Sequence, residues 1–281
     1  MNNHIHWYPG HIAKAERQLK EKLKQIDVIL EVLDARIPIS GGYQNSNKLT
    51  GDKLKIVILN KSDVADDFKT KIWMKKIQEK YNCPCLLTTT KNQKDTKFIV
   101  EKILHTAKPV FEKLKQRGLL ERPIRTMVIG MPNVGKSSVI NKLTGTSKTK
   151  TGAKAGVTRS QQWVRVHDKI ELLDTPGIIP TVQENQVSAV RLAMVNSISE
   201  NAYDNEYVAS ELLKILDKHY PKITREYYKV ENELTIENIA LSRNWIIKGG
   251  EADIVRCSQF ILTNFRDGKI GKITLDEPSD F

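Results

Sequence analysis

The chain has 281 residues, of which 40% are hydrophobic, and this allows a core of about 150 to 200 residues with a smaller companion domain. It contains 45 Lys and Arg against 33 Asp and Glu, a formal net charge of +12. No apolar run approaches the roughly twenty residues of a membrane span, the first ten residues lack the apolar segment of a secretory signal, and three cysteines are too few for a disulfide scaffold, so we expect a soluble, cytoplasmic protein. The charge suits nucleic acid as a partner, although a Lys-rich surface that only faces water is the alternative.

The first predicted element is an amphipathic basic helix over 11–26, in which apolar residues recur at helical intervals and Lys and Arg occupy the other faces. A strand over 28–33 follows and ends in Asp34-Ala-Arg-Ile-Pro38. Beyond a polar loop and a helical segment, a second buried strand covers 55–59. We therefore expect an open α/β sheet.

Asn60-Lys61-Ser62-Asp63 follows the second strand, at the edge where open α/β sheets bind ligands. This pattern builds a guanine pocket: the Asp63 carboxylate accepts hydrogen bonds from guanine N1–H and the 2-amino group, the Lys61 stem covers the ring, and Asn60 ties the loop together. Adenine offers neither donor there. Because a buried carboxylate left unpaired is costly, such a site discriminates by about four orders of magnitude.

A helix over 68–81 and a strand over 83–87 come next, followed by a threonine-rich turn. In GTP-binding domains a short turn at this place contacts guanine O6 through backbone N–H groups, and we assign that role to Thr88 and Thr89. An ordinary polar turn is the alternative. A basic helix and linker then lead to residue 125.

A β-rich apolar run next breaks into Gly130-x-x-x-x-Gly135-Lys136-Ser137 before a helical pattern. Glycines let such a loop wrap a diphosphate with its N–H groups pointing inward. Lys136 then reaches the β- and γ-phosphates, Ser137 offers its hydroxyl to Mg²⁺, and the helix turns its positive end to the anion. A glycine-rich turn before an ordinary helix is the alternative. The predicted phosphate-binding residues are Met131, Pro132, Asn133, Val134, Gly135, Lys136, Ser137 and Ser138.

The stretch 147–159 is small, basic and without periodicity, and Thr158 within it matches the switch threonine whose hydroxyl completes the Mg²⁺ shell when a γ-phosphate is present. A β-hairpin pattern over 162–173 leads into Asp174-Thr-Pro-Gly177. We predict that Asp174 holds Mg²⁺ through water and that the Gly177 amide senses the γ-phosphate.

The elements of a GTP-binding domain are therefore present in an unusual order, because the base-reading motif precedes the phosphate motif. Circular permutation explains this order, since termini that are close in space can be rejoined without altering the sheet. The chain leaves the domain just after Gly177, so the part that follows is tethered to the segment that moves on hydrolysis. That part looks mainly helical, with helices predicted over 207–220, 236–241 and 253–265.

The chain resembles the circularly permuted GTPases and, within them, the bacterial ribosome biogenesis GTPase A family. The resemblance covers nearly the whole chain and departs from the family at Ile12, where Met is usual, and in the threonine-rich turn at 88–90. The segments that carry it are Trp7-Tyr-Pro-Gly-His11, Asp34-Ala-Arg-Ile-Pro38, Asn60-Lys-Ser-Asp63, Gly130-Met-Pro-Asn-Val-Gly-Lys-Ser137, Gly156-Val-Thr158, Asp174-Thr-Pro-Gly177, Gly249-Gly250 and Gly268-Lys-Ile-Gly271.

This resemblance implies a GTPase that acts late in assembly of the large ribosomal subunit, contacts ribosomal RNA and hydrolyses GTP faster on its ribosomal particle. We accordingly predict an α/β fold with a circularly permuted P-loop GTPase domain over 1–180, in which helices cover both faces of a mostly parallel sheet. A linker over 181–204 and a smaller α-helical domain over 205–281, which binds RNA or the ribosome, complete the chain. The expected ligands are GTP or GDP with Mg²⁺, and we expect a monomer.

Catalysis requires a group that positions the attacking water. Ile178 follows Gly177, where Ras-like enzymes place a glutamine, and an alkyl side chain cannot orient water. We expect slow turnover in isolation, with Lys136, Thr158 and Gly177 at the phosphates. The resemblance favours His11 for the water, and a packed or RNA-contacting histidine is the alternative.

Asn133 suggests a second catalytic aid. An Asn at this position of the phosphate loop resembles GTPases that recruit K⁺ beside the phosphates, where the ion supplies charge in place of an arginine finger. Otherwise Asn133 only braces the loop.

Two other functions remain open from the sequence. One is a GTPase switch unrelated to the ribosome, whose basic surface is incidental. The other is a plain RNA-binding module with a vestigial pocket, which the intact motif set disfavours.

Overall fold

The computed structural model describes residues 10–42, 46–89, 95–145, 163–173, 177–178 and 185–280. Its strands are β1 (Val28–Asp34), β2 (Leu54–Asn60), β3 (Cys85–Leu87), β4 (Ile124–Gly130), β5 (Trp163–His167), β6 (Ile170–Leu173) and β7 (Gly177–Ile178). The helices of this first part are α1 (Gly10–Leu23), α2 (Ser46–Thr50), α3 (Asp67–Tyr81), α4 (Asp95–Thr106), α5 (Lys108–Gln116) and α6 (Lys136–Thr144). The helices that follow are α7 (Gln186–Met194), α8 (Asn205–His219), α9 (Pro221–Tyr228), α10 (Ile236–Ser242) and α11 (Ile254–Arg266).

The strands form one sheet in the order β3-β2-β1-β4-β6-β5, and β7 pairs with β4 beside this path. Every pairing is parallel except the β5–β6 hairpin. Strand β1 is buried along its whole length, as expected for a central parallel strand whose two faces are covered by helices. Because the central strands are parallel, the loops after β1, β2 and β4 meet at one edge of the sheet.

Alternate side chains of β2 serve two different layers. Val57 and Leu59 pack with Trp73 of α3 in one apolar cluster, whereas Ile56 and Ile58 belong to the larger cluster on the opposite face, together with residues of α4 and α6. Helices therefore cover both faces, and the predicted α/β fold with a mostly parallel sheet is confirmed.

The helical part after residue 185 is built around α8 and α11, which pack against each other. Leu212 and Leu216 of α8 and Ile261 and Phe265 of α11 are buried between them. Helix α7 lies within 181–204, the interval predicted as a linker, and buries most of its apolar side chains. Its burial joins this part to the sheet in one continuous apolar cluster, and the division into domains stays a prediction.

The segment 270–280 leaves α11 and returns along the first part of the chain. The backbone N–H of Ile273 donates to the carbonyl oxygen of Val64 at 3.1 Å, and that of Leu275 donates to the carbonyl oxygen of Arg36 at 2.7 Å. Segment 270–280 is thus hydrogen-bonded to the loops that follow β1 and β2.

Asp276 fixes this segment in place. Its buried carboxylate accepts hydrogen bonds from the N–H groups of Ile39 and Ser40, both at 2.8 Å, and from the Ser40 hydroxyl at 2.6 Å. Arg191 of α7 completes the set at 2.9 Å. One carboxylate therefore joins three separate parts of the chain.

Within the ranges given above, every helix is too short or too polar to cross a lipid bilayer.

Candidate functional site

The predicted base and phosphate motifs meet at the carboxyl edge of the sheet. Nδ2 of Asn60 donates to the carbonyl oxygen of Val134 in the phosphate loop at 2.9 Å, and the hydroxyl of Thr88 donates to Oδ1 of Asn60 at 3.1 Å. Asn60 is only 1% exposed, so both hydrogen bonds are shielded from water. The Asn60 carboxamide ties the loops after β2, β3 and β4 into one site.

The phosphate loop has the close backbone approach that its glycines predict. A Cβ on Gly130 would lie 2.4 Å from the Val32 carbonyl oxygen, and one on Gly135 would lie 2.0 Å from Nδ2 of Asn60. Gly135 also has φ +96°, a conformation that side chains disfavour. A Cβ at either glycine would therefore collide with its neighbours, so the close approach of the phosphate loop to Val32 and Asn60 requires glycine at both positions.

Lys136 begins α6 beneath this loop. Its side chain is buried, with Nζ 2.5 Å from the carbonyl oxygen of Met131, and burial lowers its pKa to about 8. A cation held at a helix N-terminus beside a loop of backbone N–H groups attracts an anion. Phosphate oxygens would stabilise the charged form of Lys136, which the loss of hydration on burial disfavours.

The metal-binding prediction is only partly covered by the structure. Ser137 and Ser138 lie half-buried in the first turn of α6, and the assignment of the Ser137 hydroxyl to Mg²⁺ stays a prediction. Thr158 and Asp174 lie outside the described residues.

Asn133 stands at the outer rim of the loop with φ +57°. Its Nδ2 donates to the carbonyl oxygen of Asn196, the second residue after α7, at 2.6 Å. The carboxamide therefore connects the phosphate loop to the helical part, a contact that its sequence position does not indicate.

Lys61 adopts the left-handed conformation, with φ +60°, at the start of the turn Ser62–Val64. Its Nζ lies 2.9 Å from Oδ2 of the fully buried Asp34, which also receives two side-chain hydrogen bonds from Arg36. Burial alone would raise the pKa of Asp34, but the charges of Arg36 and Lys61 outweigh it and hold the pKa well below its usual value. An ionised Asp34 thus fixes the ammonium end of the lysine predicted to cover guanine.

The guanine motif is braced against the end of β3. The N–H and the hydroxyl of Ser62 both donate to the carbonyl oxygen of Thr88, at 3.1 and 3.0 Å. Asp63 follows half-buried in the same short turn.

Thr88 and Thr89 correct one expectation. The sequence predicts that their N–H groups contact guanine O6, but the Thr88 N–H donates to the carbonyl oxygen of Leu59 at 2.9 Å and the Thr89 N–H to the Asp95 carboxylate at 3.2 Å. Because both amides are already bonded, this geometry does not support the assignment. Thr88 acts through its hydroxyl, which holds Asn60.

Strand β7 brings the Asp-x-x-Gly end beside the phosphate loop. Gly177 pairs with Ile129 and Ile178 with Gly130. Helix α1 contacts β7, which places the helix that carries His11 in its first turn next to this strand. The position of the His11 side chain lies outside the description.

Two residues of the site carried no individual role in the sequence analysis. Asp34 and Arg36 appeared there only as members of a family motif, although a charged pair at the carboxyl end of a buried strand is an available signal.

One family profile and several known proteins are similar to this chain. A family profile described as 50S ribosome-binding GTPase matches residues 125–241. Ribosome biogenesis GTPase A of Bacillus cereus is 38% identical over 99% of this chain and 95% of its own length, and the protein of the same name from Thermotoga maritima is 30% identical over 98% and 95%. A GDP-bound structure titled TM YlqF matches with a TM-score of 0.68 and 25% identity, covering 94% of this chain and 100% of the other. The GNP-bound YlqF of T. maritima matches with a TM-score of 0.67 and 26% identity, over 95% and 100%.

Proposed function

The chain belongs to the ribosome biogenesis GTPase A family and is a GTPase that acts in ribosome biogenesis, and from this we propose that it serves the large (50S) subunit by binding the subunit precursor and its rRNA in a nucleotide-dependent way. The hydrogen bond from Asn60 to Val134 carries the nucleotide part of this proposal, because it joins the base and phosphate motifs into one cradle. The net charge of +12 supports an rRNA partner.

Each motif residue has a defined task in this proposal. The N–H groups of the phosphate loop and the ammonium of Lys136 bind the phosphates, and Asp63 accepts hydrogen bonds from guanine while Lys61 covers its ring. Ser137, together with Thr158 and Asp174, would hold Mg²⁺, which neutralises charge on the β- and γ-phosphates. The Gly177 amide would sense the γ-phosphate, and the pairing of its strand with the strand that enters the phosphate loop supports this role.

His11 is the proposed water-positioning residue. Ile178 cannot fill that role, and the contact between α1 and β7 brings the helix of His11 to the strand that contains Ile178. General acid or base groups need only hydrogen-bond reach of the water, and that geometry often forms only in the reactive complex. The ribosomal particle would complete it, which explains the expected slow turnover in isolation.

A K⁺ ion beside the phosphates is a further part of the proposal. It rests on Asn133, whose amide nitrogen is held by the Asn196 carbonyl. That contact fixes the orientation of the carboxamide and hence of its oxygen, the atom that a cation would bind. Equal GTP turnover in potassium and sodium salts would exclude this role.

Sedimentation with ribosomal precursors tests the proposed function. We expect the protein to co-sediment with large-subunit precursors in the presence of a non-hydrolysable GTP analogue, to release with GDP, and to bind less as salt is raised. Small-subunit precursors serve as the control. Failure to associate in the analogue-bound state would favour the alternative, a GTPase switch unrelated to the 50S subunit.

The base pocket is tested separately. An Asp63→Asn variant presents an amide N–H₂ where guanine also donates, so its preference for GDP over ADP should disappear. Retained guanine preference would show that Asp63 does not read the base.

A further inference from the structure

The guanidinium of Arg36 connects the guanine motif with the helical part of the chain. Its Nε and Nη2 donate to the two carboxylate oxygens of Asp34 at 3.0 and 2.8 Å. Its Nη1 donates to the carbonyl oxygens of Phe265 and Arg266 at 3.3 and 3.1 Å, at the carboxyl end of α11. Arg36 is 1% exposed, and its contacts with Asp34 and Phe265 are buried, whereas its contact with Arg266 is part-buried.

The contacts on both sides are chemically matched to a guanidinium. The last carbonyls of a helix lack partners within the helix and carry partial negative charge, so they favour a cation. On the other side the planar fork of Arg36 takes both oxygens of one carboxylate, which an ammonium cannot do. The Arg36 guanidinium centre also lies 5.1 Å from the centre of the Phe265 ring.

Asp34 passes this connection on to Lys61. Oδ2 of Asp34 accepts a hydrogen bond from Nη2 of Arg36 and lies 2.9 Å from Nζ of Lys61. The orientation of the carboxylate therefore depends on Arg36, and the position of the Lys61 ammonium depends on the carboxylate.

A second contact reaches the same motif without using Arg36. Gly268, just after α11, has φ +71°, and a Cβ there would lie 2.4 Å from Cγ1 of Val64. Val64 directly follows Asp63, and its carbonyl oxygen also accepts the N–H of Ile273 at 3.1 Å. The turn after α11 thus supports the residue next to the guanine-binding carboxylate.

We propose that residues 265–268, at and just after the carboxyl end of α11, position the guanine motif. Arg36 orients Lys61 by way of Asp34, and Val64 supports the adjacent Asp63. Arg36 is a positioning residue in this scheme and does not touch the nucleotide. The inference rests on the proposed assignment of residues 60–63 to guanine binding. Because such coupling is reciprocal, a partner that displaces α11 would weaken GDP binding, and GDP would hold α11 in place.

Gly268→Ala tests this from the side of the helical part. We expect its Cβ to displace Val64 and to raise the Kd for GDP about tenfold, the loss typical of one or two disturbed hydrogen bonds. Val64→Ala removes the colliding Cγ1 atom but leaves the Val64 Cβ, which lies 2.9 Å from the added Cβ. We therefore expect Gly268→Ala/Val64→Ala to regain part of the GDP affinity that Gly268→Ala loses. Gly118→Ala is the control, because Gly118 has φ +64° with no atom within 4 Å of the added Cβ.

Inosine diphosphate separates positioning from general destabilisation. It lacks the 2-amino group that Asp63 would accept from, so the ratio of the Kd values for inosine diphosphate and GDP reports the placement of Asp63. Both nucleotides are titrated calorimetrically into the full chain, and we expect this ratio to fall in Gly268→Ala and to recover in the double variant. A thermal melt of each variant shows that the titrated protein is folded.

Three results would overturn the inference: an unchanged GDP Kd in Gly268→Ala, an equal loss for both nucleotides, or no recovery in the double variant. If Gly268→Ala does not fold, Arg36→Lys decides in the same way, since lysine keeps the charge but cannot span Asp34 and the two carbonyls. An unchanged ratio in folded Arg36→Lys would then overturn it. If the wild-type chain binds no GDP, the assignment of residues 60–63 to guanine binding fails. If the wild-type chain binds GDP and the variants bind it equally well, only the positioning role of residues 265–268 fails.

Discussion

Asn60 donates a hydrogen bond to the carbonyl oxygen of Val134 at 2.9 Å across 74 positions of the chain. On its other side it accepts the hydroxyl of Thr88 at 3.1 Å. The carboxamide thus lies between the base-reading and phosphate-binding loops and bonds to the end of β3 as well. A substitution of Asn60 therefore alters both the base-reading and the phosphate-binding loop.

The first prediction follows from this position. Asn60→Ala removes two buried hydrogen bonds and leaves the Val134 carbonyl without its donor, so we expect GDP affinity to fall about ten- to a hundredfold. Thr88→Val removes one partner only, and we expect a loss of about 1 kcal/mol of folding stability with a smaller effect on GDP. Calorimetric titration and urea unfolding measure the two quantities. The exposed Asn232→Ala is the control, and unchanged GDP binding in Asn60→Ala would contradict the bridging role.

The two glycines that flank α6 make a matched pair. Gly135→Ala places a Cβ 2.0 Å from Nδ2 of Asn60 at φ +96°, so we expect GDP binding to fall by at least about a hundredfold. Gly145→Ala, at φ +63°, meets no atom within 4 Å. It should cost about 1 kcal/mol of stability and leave GDP binding unchanged. Equal GDP affinities of the two variants would mean that the close approach at Gly135 does not shape the pocket.

Lys136 predicts a proton linked to nucleotide binding. Its pKa is lowered to about 8 by burial, and phosphate would raise it again, so GDP binding takes up protons above about pH 8 and GDP affinity falls there as pH rises. Without nucleotide the sign is opposite for stability: the cost of burying the charged lysine is present below about pH 8 and is relieved as pH rises toward the unfolded value of 10.5. Calorimetry at about pH 8.5 in buffers of different ionisation enthalpy measures the uptake.

Lys136→Arg is the control for this linkage, because arginine stays protonated throughout this range. We expect it to bind GDP without proton uptake from this position. Equal uptake in the wild type and in Lys136→Arg would assign the proton to another group.

Asp276 anchors segment 270–280 with a buried carboxylate. Asp276→Ala leaves several buried donors and the charge of Arg191 without their partner, so we expect a loss of about 3 to 5 kcal/mol in urea unfolding. Asp67→Asn is the matched control. It breaks a pair of similar length, between Lys272 and Asp67 at 2.8 Å, whose side chains are 51% and 66% exposed, and it should cost less than about 1 kcal/mol. Similar losses in both variants would contradict the anchoring role.

His11→Ala tests the proposed water-positioning group. We expect GTP turnover on ribosomal particles to fall by about a hundredfold or more, while affinity for a GTP analogue stays within about twofold, because a general base acts on the transition state. His105→Ala on the exposed face of α4 is the control. Wild-type turnover by His11→Ala on particles would assign that histidine to packing or RNA contact.

The elements that could be predicted are those whose sequence pattern is local. Strand β1 was expected over 28–33 and spans Val28–Asp34, and the helix expected over 68–81 spans Asp67–Tyr81. Helix α7 escaped prediction because alanines supply much of its buried face, at Ala189 and Ala193, and they give a weak apolar signal. Strand β7 has two residues and too little periodicity to be recognised.

In the site, the residues could be predicted from the sequence but their contacts could not. The motif residues could be identified because phosphate and guanine chemistry dictates residue types at fixed spacing. The pairing of Asp34 with Lys61 and of Thr88 with Asn60 could not, because each joins loops that only the sheet brings together. Sequence reasoning therefore gave Thr88 a backbone role, whereas the structure uses its hydroxyl.

Segment 270–280 also has a consequence for how the protein is made. The N–H of Asp66, three residues after the guanine motif, donates to the hydroxyl of Thr274, which is 208 positions later. A nascent chain therefore exposes its base-reading loop long before the residues that support it have been translated. We expect guanine affinity to mature only after residue 276 has left the translating ribosome, because the Asp66 N–H has no Thr274 hydroxyl to bond before then.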